Sequence, residues 1–188
     1  MILVIDTSAI IAVIATIDGR RTETFIPSRS PHLRETLRRL ARLHDITKVA
    51  VATGPGSFTG LRVGVSFGLG LAMGRRVPIV PLPTLDLQAA RSDESVTAVV
   101  DAGRGRYYFR LPAGEVGLGA PAEIPRDYPL VGRVENVAPL AETGHRFLDE
   151  RALRPFVDAA AHLLETASEV PYRNLEITYM QSFSPRSS

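Results

Sequence analysis

The sequence of 188 residues contains no cysteine and a single lysine, Lys48. Without cysteine, disulfide scaffolds, thiolate metal sites and cysteine nucleophiles are excluded, and a reducing compartment is expected. The other basic residues are arginines, and the formal net charge is only +2. A charge this close to balance does not predict a strongly basic nucleic-acid-binding protein.

Long apolar runs are also lacking. The N-terminal run, residues 2–5, is too short for the core of a signal peptide and has no basic leader. The longest apolar stretch elsewhere, residues 61–73, contains Arg62 and is too short to cross a bilayer. We therefore expect a cytoplasmic protein with no membrane partner.

The first half of the chain has the pattern of an α/β fold. Asp18-Gly19 is a strong hairpin signal because a type I′ turn needs positive φ at both central residues. Ser30-Pro31 is typical of a helix start, with a capping hydroxyl and proline in the first turn. Apolar periodicity predicts strands at 2–5, 9–17, 20–27, 48–53 and 77–81, and helices from 31, over 59–74 and over 84–90, the last capped by Thr84.

The second half begins with another predicted hairpin. Strands at 96–100 and 107–111 flank Gly103-Arg104-Gly105, and residues 112–139 are rich in glycine and proline, which indicates turns and short strands. A helix is predicted over 155–167 and a frayed polar tail over 182–188. We divide the chain into an N-terminal lobe, 1–95, and a shortened C-terminal lobe, 96–188.

An aspartate ends the first strand of each half, Asp6 and Asp101, just before a hairpin. This weak repeat resembles the duplicated lobes of the actin-like ATPase (ribonuclease H-like) fold, in which paired aspartates face a nucleotide cleft. The alternative is that each aspartate simply caps the following turn. The repeat alone favours the alternative.

A glycine-rich segment, residues 52–64, lies between a predicted buried strand and a helix. Such a loop can present backbone N–H groups to a phosphate. The segment matches neither the P-loop nor the dinucleotide-binding spacing. Phosphate binding therefore has little support from the motif itself.

The helix that follows carries Gly60, Gly64 and Gly68 at intervals of four. Each glycine costs about 1 kcal/mol relative to alanine inside a helix, so the stripe costs roughly 3 kcal/mol. Close approach of another helix would compensate that cost. The first helix or the second lobe of this chain could also cover the stripe, but we favour a partner helix, and the predicted interface is Gly60, Leu61, Gly64, Val65, Phe67, Gly68 and Leu71.

Four segments together resemble the TsaB (YeaZ) family in order and spacing. They are Ile2-Leu-Val-Ile-Asp-Thr-Ser8, Gly54-Pro-Gly-Ser-Phe-Thr-Gly-Leu-Arg-Val-Gly64, Val80-Pro-Leu-Pro-Thr-Leu85 and Val100-Asp-Ala-Gly-Arg104 followed by Tyr107. The resemblance implies a two-lobed actin-like fold and a bacterial cytoplasmic protein. The second half departs from the family, since it is short and its residues 112–139 are hard to align.

The resemblance also implies a function. TsaB-like proteins assist a catalytic paralogue, TsaD, which transfers a threonylcarbamoyl group to the adenosine beside the anticodon of ANN-decoding tRNAs, and an ATPase, TsaE, completes the complex. The glycine-rich helix is the family's pairing surface, used for self-pairing when the protein is alone. We therefore expect a non-catalytic scaffold that contacts tRNA indirectly and has no cofactor of its own, with ATP and Mg²⁺ as candidates only at the complex interface.

The metal site of the catalytic paralogue is not predicted in this chain. TsaD holds its metal through a His-x-x-x-His pair, whereas here His32 is followed four residues later by Thr36. The same difference argues against a metalloprotease, which is an old label for this superfamily. We expect no metal site.

The alternative function is an independent nucleotide-binding enzyme of the actin-like fold, an ATPase or kinase. Asp6, Thr7 and Asp101 would then form a Mg-phosphate site. Against this interpretation, the sequence shows no adenosine-binding motif and no evident base near Asp6.

Overall fold

The computed structural model describes residues 1–179, so the predicted tail at 182–188 lies outside the described residues. Nine strands form two sheets within the described part of the chain, with orders β3-β2-β1-β4-β5 and β8-β7-β6-β9. The strands are β1 Ile2–Asp6, β2 Ile11–Asp18, β3 Arg20–Pro27, β4 Lys48–Ala52, β5 Ile79–Leu82, β6 Thr97–Gly103, β7 Arg106–Arg110, β8 Val116–Gly119 and β9 Leu130–Arg133. The α-helices are α1 Pro31–Leu40, α2 Phe58–Arg75, α3 Thr84–Ala89, α4 Ala138–Glu142 and α5 Phe156–Leu164.

The first sheet combines an antiparallel meander with parallel strands. β1 pairs antiparallel with β2 and parallel with β4, and β4 pairs parallel with β5. The β2–β3 hairpin turns at Gly19, as the sequence predicts, but Asp18 belongs to β2, where it pairs with Arg20, and its φ is not positive, so the turn is not the expected two-residue type I′ turn. β1 and β4 lie at the centre and are covered on both faces, which explains their continuous apolar sequences.

Alternate side chains of the central strands serve two separate cores. Leu3 and Ile5 point to one face, where they cluster with apolar residues of α1 and α2. Val4 points to the other face and clusters with Leu87 of α3 and Phe156 of α5. α2 therefore lies directly over β4 and over β1, which ends at Asp6 and is followed by Thr7.

The second sheet repeats this pattern on a smaller scale. β6 and β7 form the predicted hairpin around Gly103–Gly105, and β9 adds parallel to β6. The bounds of β6 differ from the prediction because the strand continues beyond Val100 through Asp101 to Gly103, with an irregular register at its end.

The chain returns to the first sheet after the second one. α5 contacts β2, β3 and β5 of the first sheet, and Val170 forms a bridge with Ile79. The amide of Thr178 donates to the carbonyl of Thr53, 2.8 Å away. The division of the chain at residue 95 remains a prediction.

Thr84 does not cap α3, contrary to the sequence prediction. Pro83 occupies the N-cap position, and the Thr84 hydroxyl oxygen accepts a hydrogen bond from the Gly54 amide at 3.1 Å. This side chain therefore fixes the glycine-rich loop and not the helix start. Among residues 1–179, no helix combines the length and the apolar character needed to cross a membrane.

Candidate functional site

The glycine-rich loop uses its backbone donors within the chain. The amide of Gly54 donates to Thr84, and the amide of Ser57 donates to the carbonyl of Ser8 at 2.7 Å. Ser57 is also the N-cap of α2, and its hydroxyl oxygen accepts from the Gly60 amide at 3.3 Å. The N–H groups of Gly54, Ser57 and Gly60 therefore already have partners, and a phosphate could bind to these three only by displacing the internal hydrogen bonds.

Gly54 is required in this loop for two reasons. Its φ of +107° lies in a region that residues with a side chain rarely adopt, and a Cβ there would come within 2.7 Å of the Thr178 carbonyl oxygen. The loop is thus held between β4, α3 and the segment that follows α5.

The glycine stripe of α2 faces the chain's own sheet. A Cβ on Gly60 or Gly64 would lie closer than 3.0 Å to Thr7, and one on Gly68 would collide with Val51. The compensating neighbour is therefore the β1–β4 surface of the same subunit, and our inference that the stripe requires a partner helix is wrong. The cover is internal, as the alternative held, but it is the central sheet and not the first helix or the second lobe.

The burial of the neighbouring residues follows from the same contact. Five of the seven predicted interface residues are buried in the chain itself: Leu61, Gly64, Val65, Gly68 and Leu71. Gly60 and Phe67 are half-buried. These five residues cannot contact a partner while α2 lies on its own sheet, because contacts within the subunit already bury them.

The opposite face of α2 is open. We call it the outer face of α2; it comprises Thr59, Val63, Ser66, Phe67, Gly70, Met73 and Gly74. Val63 is 44% and Met73 53% exposed, and a Cβ added to Gly70 or Gly74 would meet no atom within 4 Å. Ser66, Gly70 and Gly74 recur every fourth residue, so they form a shallow small-residue groove on the solvent side.

Two cavities follow the line where the outer face of α2 meets α1. One, of about 650 Å³, is lined by Ser66, Phe67, Gly70 and Gly74 together with Ala41 and His44 beyond α1. The other, of about 470 Å³, includes Thr59 and Val63 of α2, Leu33 of α1 and Thr7. We call this line the α1–α2 seam, and it presents both apolar surface and backbone to whatever lies against it.

Asp6 lies at the end of β1 and is 1% exposed. One carboxylate oxygen, Oδ1, accepts hydrogen bonds from the Ser8 amide at 2.9 Å and from the Ser8 hydroxyl at 2.6 Å. The other, Oδ2, has no hydrogen-bond partner and faces the Arg133 Nη1 atom at 3.9 Å. The buried negative charge is thus balanced by a cation of the chain itself.

Arg133, at the end of β9, is the residue that sequence reasoning missed. Its guanidinium lies over the rings of Phe25 and Phe156, with centroid distances of 5.3 and 4.9 Å. Burial lowers the pKa of Arg133 below its ordinary value, and the charge of Asp6 partly offsets that effect. The only signal in the sequence was an arginine directly after a short apolar run, which does not indicate its partner.

Thr7 and Asp101, the other two candidate nucleotide-site residues, also bind within the chain. The Thr7 hydroxyl donates to the Gly60 carbonyl at 2.7 Å, and the Asp101 Oδ2 atom accepts from the Glu135 amide at 2.6 Å. Burial raises the pKa of Asp101, and the nearby Glu135 charge adds to the rise. The end of β9 and the residues after it therefore contact both aspartates. Arg133 faces Asp6, and the Glu135 amide donates a hydrogen bond to Asp101.

The histidines do not gather into a site. Within residues 1–179, no group of three or more histidine, cysteine, aspartate or glutamate side chains is arranged to hold a metal ion. His145 is buried and its ring nitrogens lie 2.9 Å from the Thr143 hydroxyl and 3.1 Å from the Ile124 carbonyl. It therefore joins two loops of the second lobe.

Comparison with known proteins connects this geometry to a family. The sequence profile of TsaD, tRNA N6-adenosine threonylcarbamoyltransferase, matches residues 30–116. The tRNA threonylcarbamoyladenosine biosynthesis protein TsaB of Bacillus subtilis is 38% identical over 77 residues, which are 39% of this chain and 34% of that protein. TsaB of Escherichia coli is 38% identical over 72 residues, 36% of this chain and 31% of the relative.

Solved structures agree over nearly the whole chain. YeaZ from Pseudomonas aeruginosa superposes with a TM-score of 0.73 at 21% identity, covering 95% of this chain and 99% of that one. A second structure, described as a protein with similarity to the peptidase YeaZ from the same organism, gives a TM-score of 0.72 at 20% identity over 96% and 99% of the two chains. In sequence over about two fifths of the chain, and in fold over nearly all of it, the chain is similar to proteins of the TsaB (YeaZ) family.

The agreement with the YeaZ structures, together with the match to the TsaD profile, confirms the predicted fold class, an α/β protein of the actin-like, ribonuclease H-like type. The matched sequence segment spans only about a third of the length of the curated TsaB relatives. The structural agreement with YeaZ, at about 20% identity, establishes the fold and not the activity.

The contact between α2 and β1 leads to the first testable prediction. Gly64→Ala places a methyl group against Thr7, so it should lower the free energy of unfolding by about 2 kcal/mol or more, as overpacking does. Gly70→Ala is the matched control, since it is on the same helix with open space, and it should be neutral or stabilising by up to about 1 kcal/mol. Urea denaturation of both variants is the measurement, and equal stabilities would contradict the inward orientation of the stripe.

The Asp6–Arg133 pair gives a second prediction. Asp6→Asn retains an oxygen for Ser8 but leaves the buried guanidinium without its counter-charge, and a loss of about 3 kcal/mol is expected. Arg133→Met retains an apolar stem and isolates the Asp6 charge instead. In a double-mutant cycle measured by denaturation, the loss of unfolding free energy in the double variant should be smaller than the sum of the two single losses by about 1 to 3 kcal/mol. Additive losses would show that the two side chains do not interact.

Proposed function

We propose that this chain is a non-catalytic partner subunit in the synthesis of tRNA N6-threonylcarbamoyladenosine, and that it pairs with a TsaD-like catalytic paralogue. The similarity to TsaB proteins, which are named for this biosynthesis, supports a role in the same process. The outer face of α2 is the single structural observation that supports the pairing role. A cytoplasmic location fits a subunit that acts on tRNA together with a paralogue and a TsaE-like ATPase, its contact with tRNA being indirect.

The pairing surface differs from the one that sequence reasoning chose. It is the outer face of α2 with the α1–α2 seam, where Val63, Phe67 and Met73 offer apolar contact around a groove floored by Gly70 and Gly74. A helix packed in such a groove approaches the α2 backbone closely, which is how small-residue stripes promote helix association. Isolated copies of the chain would use the same surface for self-pairing.

The non-catalytic part of the proposal is supported by the environment of Asp6. In an actin-like nucleotide site this carboxylate would serve a bound cation, whereas here its free oxygen faces Arg133. Asp101 is bonded to Glu135 and Thr7 to Gly60, so the three candidate residues are committed to internal contacts.

Substitution at the outer face tests the pairing. Val63→Arg puts a long charged side chain into the apolar surface and should abolish co-purification with the co-expressed TsaD-like paralogue, with little change in thermal stability. Val116→Arg is the matched control, because Val116 is 42% exposed on β8, against 44% for Val63. Retention of the paralogue by Val63→Arg at the control's level would contradict the proposed surface.

Nucleotide binding by the isolated chain tests the alternative enzyme. Calorimetric titration with Mg-ATP should give no tight binding, because Arg133 would have to leave Asp6 before a metal-bound phosphate could approach it. Tight binding together with turnover would favour an independent ATPase or kinase over a scaffold.

A further inference from the structure

Positive charge is concentrated beside the proposed pairing surface. α1 and α2 together hold five arginines and one glutamate, whereas the whole chain has a net charge of only +2. Among the described residues, none of these five arginines forms an ion pair with a carboxylate; they are Arg34, Arg38, Arg39, Arg62 and Arg75. Their charge is therefore available to an incoming surface.

Helical spacing places part of this charge along the seam. Arg34, Arg38 and Ala41 are separated by four and three residues, so they share one side of α1. Ala41 lines the 650 Å³ cavity, and its carbonyl accepts a hydrogen bond from Arg75 Nη2 across the seam at 2.8 Å. Arg75 thus borders the cavity at the C-terminal end of α2, and Arg34 and Arg38 lie on the side of the α1 helix that continues to Ala41.

We propose that this basic border selects an acidic partner helix, one that carries carboxylates beside a ridge of apolar side chains. The inference rests on the proposed function and identifies the chemistry of the partner at the same surface. A partner of this kind satisfies both the apolar floor and the arginines, whereas an RNA backbone would leave Val63, Phe67 and Met73 without apolar contacts. The same charge opposes pairing of two copies, since both faces would bring arginines to the interface.

Salt dependence separates the two kinds of pairing. Raising NaCl from about 50 to about 500 mM shortens the screening length severalfold. It should weaken binding of the TsaD-like paralogue about tenfold or more, and strengthen self-association of the isolated chain, both measured by analytical ultracentrifugation. Salt effects of the opposite sign on either equilibrium would overturn the proposal.

Charge reversal supplies the decisive variant. Arg34→Glu/Arg38→Glu should weaken binding of the paralogue at least tenfold and should form mixed dimers with the unmodified chain, because the two faces then complement each other. Arg20→Glu/Arg146→Glu is the control, with the same change in charge at exposed positions outside α1 and α2, and should leave both equilibria unchanged. Circular dichroism establishes that both variants are folded.

The outcomes distinguish this inference from the function on which it rests. If Val63→Arg abolishes pairing but Arg34→Glu/Arg38→Glu binds the paralogue like its control, the acidic-partner inference fails and the pairing role stands. If neither substitution affects the paralogue, the pairing role itself fails. If the reversal leaves the paralogue bound but abolishes binding of a fluorescent tRNA to the isolated chain, α1 is an RNA surface and the proposal is overturned.

Discussion

Close contact between α2 and the two central strands organises this molecule. Gly60, Gly64 and Gly68 let the helix lie so near β1 and β4 that Thr7 and Val51 occupy the space where their Cβ atoms would be. The helix cost of three glycines, roughly 1 kcal/mol each, is offset inside the subunit by that packing. The contact also fixes the loop before α2, since Thr7 bonds to Gly60 and the Ser57 amide bonds to Ser8.

Much of the fold could be read from the sequence, but the orientation of α2 could not. The hairpin at Gly19 and the Ser30 cap of α1 followed from local turn and capping chemistry, which depends on neighbouring residues. α2 is apolar on every side, so periodicity gave no inner face. The glycine spacing correctly indicated a close neighbour, but its identity depends on tertiary packing, and Gly70 and Gly74, which face solvent, carry the same spacing as the inner stripe.

The surroundings of the two aspartates show a similar limit of reasoning from the sequence. Asp6 ends β1 and Asp101 lies two residues before the end of β6, close to what the repeat indicated, yet the groups around them come from distant segments. Arg133 reaches Asp6 from β9, and Phe156 from α5 packs against its guanidinium. A pairing across more than a hundred residues leaves no local trace, so sequence reasoning could place the carboxylates but not the cation that balances one of them.

The inner side of α2 has a structural role, and the association that we propose uses its outer side. The inner side is fully used by the subunit, so substitutions there act on folding, and they cannot report on a partner. On the outer side there is open space beside Gly70 and Gly74, and Val63 and Met73 are exposed apolar residues that the proposed association would cover. In the proposed assembly, the arginines along α1 make that surface positively charged. When two partners offer the same apolar contacts, this charge favours an acidic partner over a second copy of the chain.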